Sequence, residues 1–186
     1  MTKDALVTYR ELVVEDIYLI AEVNREERIE AEYVAEPDAT GFGIVTRLRH
    51  FDSPKFNPAW GKEGTDNRIK AWKPHLEEGG FMYGAFRAER LVGFIVLGSK
   101  RRDGAGEIVA LFVDRDFRER GIATQLMSWA EKKASDTGMD ALFLYSNPTL
   151  SSVSFYRKMG FQISGLIAKH IVSDLSGDIV MAKMLS

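Results

Sequence analysis

The chain has 186 residues, 45% hydrophobic and 28% charged, with a net charge of −2. This is the composition of a soluble globular chain with room for one full core, and its charge argues against a dedicated nucleic-acid binder. The absence of cysteine excludes a disulfide, a thiolate nucleophile or a thiolate metal site.

No apolar run approaches the ~20 residues that span a bilayer, so no membrane partner is expected. The opening Met1 to Leu6 has no apolar signal core, which points to a cytoplasmic location. Residues 6–13 read as a first strand. Residues 15–32 read as an amphipathic helix, with Ile17, Ile20, Ala21 and Ile29 in rough helical register. Between Asn24 and Asp38, acids outnumber Arg25 and Arg28, either as a wall for a cationic acceptor or as a solvated face.

Residues 40–66 show no clear element. Ile44, Leu48 and Phe51 suggest a short helical stripe that Pro54, Pro58, Gly61 and Gly64 interrupt. Phe51, Phe56 and Trp60 either cover a substrate or staple the segment down. Residues 67–78 look partly helical, with Pro74 preventing one uninterrupted helix.

Residues 81–87, 91–99 and 107–113 read as three strands of an antiparallel meander. The third is an almost unbroken apolar run, as in a strand buried on both faces. Asp114 to Arg120 is a polar loop containing Arg115, Arg118 and Arg120. After Gly121, Ile122, Leu126, Met127, Ala130 and Ala134 mark a helix that Gly138 ends. Strand, glycine turn and helix together make an anion site, because the first N–H groups of a helix lack internal partners. It is neither a Walker A loop, which needs Gly-Lys-Ser/Thr, nor a dinucleotide fingerprint, which needs three spaced glycines.

Residues 141–145 follow as a short buried strand and 151–159 as a helix with Ser151 as its cap. Residues 161–172 and 178–184 are the last strands, with Ser176-Gly177 as their turn. The fold class is α+β, a mixed and mostly antiparallel sheet with helices on both faces. No linker or repeat divides the chain, so residues 1–186 read as a single domain. His50, His75 and His170 stand apart in sequence and read as structural or surface residues, with no metal-ligand spacing.

Arg118-Glu119-Arg120-Gly121-Ile122-Ala123 resembles the Arg/Gln-x-x-Gly-x-Gly/Ala motif of the GNAT superfamily of acetyl-CoA-dependent N-acetyltransferases. Ser154-Phe155-Tyr156-Arg157-Lys158-Met159-Gly160-Phe161 is similar to its second motif, in the expected order and with a strand between. The resemblance covers residues 81–186, the acetyl-CoA-binding core, and leaves 1–80 as acceptor-side helices and loops.

The resemblance implies middle strands that splay to admit the pantetheine arm of acetyl-CoA, bound by backbone groups of Leu111, Phe112 and Val113. It implies that Arg118, Glu119, Arg120, Gly121, Ile122, Ala123 and Thr124 cradle the pyrophosphate, and that the Leu111 N–H polarises the thioester carbonyl. Tyr156 falls where the family protonates the departing thiolate; the alternative is a tyrosine packed in the core. Where the family often has Asn before this tyrosine, the chain has Ser151, with Asn147 four residues earlier as a substitute contact.

Glu107 matches the base glutamate of the histone-acetylating branch; the alternative is a strand-end acid in water. Alternation places it on the side of Val109 and Leu111. The expected activity is transfer of acetyl from acetyl-CoA to a primary amine of a small molecule or peptide, cationic if the acidic stretch attracts it. A non-catalytic acyl-CoA-binding module and an O-acyl or longer-chain transferase are the alternatives. No metal is expected, and the chain is expected to be a monomer or homodimer.

Overall fold

The computed structural model describes residues 6–41, 43–166 and 179–185. It divides into two compact units, the first of residues 1–26, 58–142 and 184–186, the second of residues 27–57 and 143–183. Its architecture is α+β, with mostly antiparallel strands.

In the first unit, β1 (Val7–Leu12), β4 (Phe81–Arg87), β5 (Arg90–Leu97) and β6 (Ala105–Val113) lie side by side in that order, each antiparallel to the next. The meander expected for the last three is present. Every residue of β5 from Leu91 to Leu97 is buried, so this strand is covered on both faces. One face carries a cluster of Met82, Phe86, Phe94, Val96 and Ala110 with Ile17 and Ile20 of a 3-10 helix (Val14–Glu22) and Trp72 and Leu76 of α1 (Gly61–Glu77). The other face takes α2 (Ile122–Asp136), which buries Leu126, Met127, Ala130 and Ala134. Gly93 makes this approach possible, since a Cβ there would sit 3.1 Å from Ile122 and 3.4 Å from Leu126. Gly138 adopts φ 73°, and the Met139 N–H reaches back to the Ala134 carbonyl at 2.9 Å, closing α2 as expected.

The second unit holds β2 (Glu27–Pro37), β3 (Ile44–Asn57), α3 (Leu150–Lys158), β8 (Gln162–Leu166) and β9 (Ile179–Met184), while β7 (Ala141–Ser146) begins in the first unit and ends in the second. β2 and β3 form a long hairpin closed by Asp38, whose carboxylate accepts from the Thr40 N–H at 2.9 Å and hydroxyl at 2.6 Å. The Tyr33 N–H donates to the Pro148 carbonyl at 2.7 Å, tying the hairpin to the start of α3.

Four expectations are corrected. The first helix stops at Glu22, and residues 27–37 are strand, because Ile29, Ala31 and Tyr33 alternate with charged neighbours at period two. Residues 44–57 are its partner strand, and Pro54 is tolerated where pairing jumps from Ala31↔His50 to Ile29↔Lys55. Helix α1 runs through Pro74, which sits in its last turn, with the Glu78 N–H on the Pro74 carbonyl at 2.9 Å and Leu76 anchored in the core. The cap of α3 is Thr149, whose hydroxyl accepts from the Ser152 N–H, in place of Ser151. The Ser176-Gly177 turn and His170 lie outside the described residues.

Candidate active site

Strand β6 carries the first group of expected residues. Its pairing with β5 runs Gly93↔Val113, Phe94↔Phe112, Ile95↔Leu111 and Val96↔Ala110, then jumps to Leu97↔Ile108. Val109 is therefore the extra residue of a bulge, the device that re-aims side chains along a strand. Val109, Ala110 and Phe112 all pack against the cluster on the α1 face. Leu111, opposite Ile95, belongs with Gly93 on the α2 face. Glu107 thus shares a side with Val109, as expected, but not with Leu111; the bulge breaks the simple alternation. Nor is β6 buried on both faces, since Glu107, Val109 and Leu111 are only half-buried.

Burial pushes the Glu107 carboxyl above the ordinary glutamate range, against the opposing pull of His75 and Arg101. That is the direction a general base working near neutral pH requires.

The loop after β6 is built on Asp114. Its fully buried carboxylate accepts from the Asn24 N–H and the Asp116 N–H, each at 3.0 Å, and pairs with Arg90. Arg118 donates through Nε to the Val113 carbonyl at 3.2 Å and through Nη2 to the Arg25 carbonyl at 3.0 Å. Much of its donor capacity therefore shapes the loop. Arg120 donates to the Asp116 carbonyl at 3.1 Å and lies 5.3 Å from the Phe117 ring centroid.

Glu119 and Gly121 both have left-handed backbones, with φ 62° and 79°. No side chain caps α2 at Gly121, its first turn holds no acid, and a Cβ on Gly121 would meet nothing within 4 Å. Ile122 is buried beneath this helix start, Ala123 is half-buried and Thr124 is exposed. An open glycine, uncapped helical N–H groups and nearby guanidinium groups are a donor set that fits a pyrophosphate.

The second unit carries the remaining expected residues. Asn147 is exposed, and its backbone carbonyl accepts from Ser146 at 2.9 Å. Ser151 is exposed and donates to Glu27. Tyr156 lies edge-on to Phe155 and Phe161, at centroid distances of 5.3 and 5.8 Å. Part of its surface is open, yet burial raises its hydroxyl well above the ordinary tyrosine range, so the hydroxyl stays protonated at neutral pH.

Two features of this region escaped the sequence reading. His75 reads as isolated, and only the fold brings its ring to Gly98, beside the Glu107 main chain. Asp114 offered a weak signal, an acid closing an apolar strand and serving as a helix cap. The acidic stretch before Asp38 is largely neutralised. Glu26 pairs with Arg115, Glu30 with Arg28, Glu32 with Arg49 and Lys55, and Glu36 with Arg47. Trp60 packs edge-on against Trp72 and Phe112, whereas Phe56 is exposed.

The strand, glycine turn and uncapped helix start of the first unit together fit a phosphate-bearing ligand. The chain belongs to the Acetyltransferase (GNAT) family, whose model matches residues 45–161. Among solved structures it is similar to nourseothricin acetyltransferase, at 20% identity and TM-score 0.78 over 97% of this chain and 99% of that one. A streptothricin acetyltransferase from Bacillus anthracis str. Ames, in complex with acetyl coenzyme A, matches at 20% identity and TM-score 0.74, covering 97% and 99%. The ribosomal-protein-S18-alanine N-acetyltransferase from Escherichia coli matches at 14% identity and TM-score 0.63, covering 97% and 95%. No curated protein sequence matches the chain.

Proposed function

We propose that the chain is an N-acetyltransferase working as a single domain, moving acetyl from acetyl-CoA directly to the primary amine of a small molecule. The observation that carries this is Glu107, a half-buried acid beside the β6 bulge whose carboxyl is raised toward the working range of a base. Acetyl-CoA supplies the acetyl group as a thioester. Glu107 removes a proton from the acceptor ammonium, directly or through a water, and leaves the amine nucleophilic. The Leu111 N–H donates to the thioester oxygen as charge develops there. Tyr156, protonated at neutral pH, gives its proton to the departing thiolate. With no cysteine in the chain, no thiol acyl-enzyme precedes the transfer. The uncapped start of α2, with Arg118 and Arg120 beside it, holds the pyrophosphate.

Two of the similar structures are named for nourseothricin and streptothricin, so such antibiotics are the first acceptors to test. The acceptor-side segment of the first unit contains a pocket of about 500 Å³ lined by Tyr18, Glu22, Trp60, Asp66 and Ile69 among others, large enough for a small amine. The experiment is thiol release from acetyl-CoA with streptothricins, aminoglycosides, polyamines, amino acids and peptide amines. Acceptor-dependent release with an N-acetylated product is expected. Release with none of them would defeat the small-amine reading.

A further inference from the structure

The pocket of the first unit is lined from two stretches of chain, Tyr18 to Asn24 and Ala59 to Ile69. The first stretch ends in a connection that the loop after β6 holds by its backbone. The Asn24 N–H donates to the Asp114 carboxylate at 3.0 Å, and the Asn24 carbonyl accepts from the Arg115 N–H at 2.7 Å. One residue on, the Arg25 carbonyl accepts from Arg118 Nη2 at 3.0 Å. Arg90 joins the same two parts, donating to the Glu22 carbonyl at 3.0 Å and pairing with Asp114. The wall of the pocket and the loop that carries the anion donors are therefore one hydrogen-bonded piece.

The second stretch is anchored on Trp60. Its ring packs edge-on against Trp72 and Phe112, at centroid distances of 5.6 and 4.9 Å. Its buried indole N–H makes no hydrogen bond among the described residues, so ring contacts alone set its orientation. Two guanidinium groups complete those contacts, Arg68 at 5.8 Å from the ring centroid and Arg25 at 5.4 Å. Arg68 belongs to α1 and travels with Trp60. Arg25 comes from the other stretch, so it ties the two walls together.

We propose that Arg25 is the positioning residue that joins the cofactor loop to the acceptor pocket, its carbonyl held by Arg118 and its guanidinium seated on Trp60. This rests on coenzyme A binding at the start of α2 and on the pocket taking the acceptor. Arg118 spends Nε on the Val113 carbonyl and Nη2 on the Arg25 carbonyl, and its remaining donors go to the pyrophosphate. A phosphate there fixes Arg118, the Arg25 carbonyl with it, and so the guanidinium on the Trp60 ring. The acceptor then meets an aromatic wall already in place. The coupling is reciprocal, so an acceptor in the pocket tightens coenzyme A by the same factor.

The test is fluorine-19 NMR of the full chain labelled with 5-fluorotryptophan, which needs no acceptor, with coenzyme A binding followed in parallel by calorimetry. The chain has three tryptophans, and Trp60→Phe assigns the resonance. Saturating coenzyme A should move the Trp60 resonance of the wild type. Arg25→Gln keeps the carbonyl that Arg118 holds, so it should leave the affinity for coenzyme A unchanged but remove most of that movement. Arg25→Lys keeps the cation and should restore much of it. With an acceptor in hand, Arg25→Gln should raise the acceptor KM about three- to fivefold, the loss of one partly exposed cation–π contact, and leave the KM for acetyl-CoA unchanged. Calorimetric binding with an unmoved Trp60 resonance overturns the link and leaves the acetyl-CoA reading standing. An equal movement in Arg25→Gln also overturns it, because coenzyme A would then reach Trp60 without Arg25. Absence of binding to the wild type refutes the acetyl-CoA reading itself, and the link falls with it.

Discussion

At the residue scale, the burial that would suit Glu107 to the proposed base role also burdens the fold. Its folded carboxyl titrates above its unfolded value, so the neutral form is favoured in the native state. The stability this contributes is complete below the unfolded pKa of about 4.3 and is lost as pH rises through the folded value. Glu107→Gln mimics the neutral form. It should therefore raise the Tm at pH 7 to 8, with the gain vanishing near pH 4, while kcat/KM falls roughly 10²- to 10⁴-fold. Thermal melts across pH check the first part, and a Tm that drops equally at every pH would show the side chain to be structural. Ala88 offers a contrast without function. It turns β4 into β5 with φ 52°, a left-handed conformation costing a non-glycine residue roughly 1 kcal/mol. Ala88→Gly should recover about that much, raising the Tm by roughly 2–4 °C with no change in turnover. Gly121 was legible in the sequence because its requirement is local: φ 79° and open space before a helix. The approach of His75 to the Glu107 main chain was not, because it runs through Gly80 and Gly98, which become its neighbours only on folding.

At the element scale, legibility followed periodicity and burial. The meander and α2 have clean patterns and were placed within about two residues of their observed ends. The β2–β3 hairpin was missed because its strands alternate weakly and are largely exposed, with Arg47, Arg49 and Lys55 on β3 facing acids of β2. Such strands are held by backbone pairing and cross-strand ion pairs, which leave little apolar signal. The bulge at Val109 was equally hidden, since nothing in an apolar run marks which residue is extra. The loop after β6 gives the sharpest test at this scale. Asp114 is fully buried and satisfies two backbone N–H groups besides pairing with Arg90. Asp114→Ala leaves those donors without a partner, while Arg90 remains about half in water and loses little. A loss of roughly 2–4 kcal/mol is expected, read as a lower urea midpoint at unchanged slope. CoA affinity should fall as well, because this carboxylate sets the path of the chain into Arg118 and Gly121. A loss of stability with full CoA affinity would show that the loop holds its shape without Asp114.

At the scale of the whole molecule, the family assignment makes one demand that no local feature can meet alone. A ligand that binds only the folded chain must stabilise it by mass action, by about 2.7 kcal/mol at a concentration 100 times its Kd. For a chain of this length that corresponds to a Tm increase of roughly 5–11 °C. Coenzyme A and acetyl-CoA should both produce it, and adenosine should not, because the donor set at the start of α2 addresses the pyrophosphate. Gly121→Asp places a carboxylate where phosphate must sit and forces a side chain onto a left-handed backbone, so it should abolish the shift. Gly121→Asn separates the two effects. Asparagine tolerates that backbone and carries no charge, so it should keep the stability of the free chain and retain part of the CoA response. If Gly121→Asp still melts later with CoA, the pyrophosphate does not sit at this glycine. If the wild type shows no shift with either ligand at millimolar concentration, the acetyl-CoA reading fails as a whole.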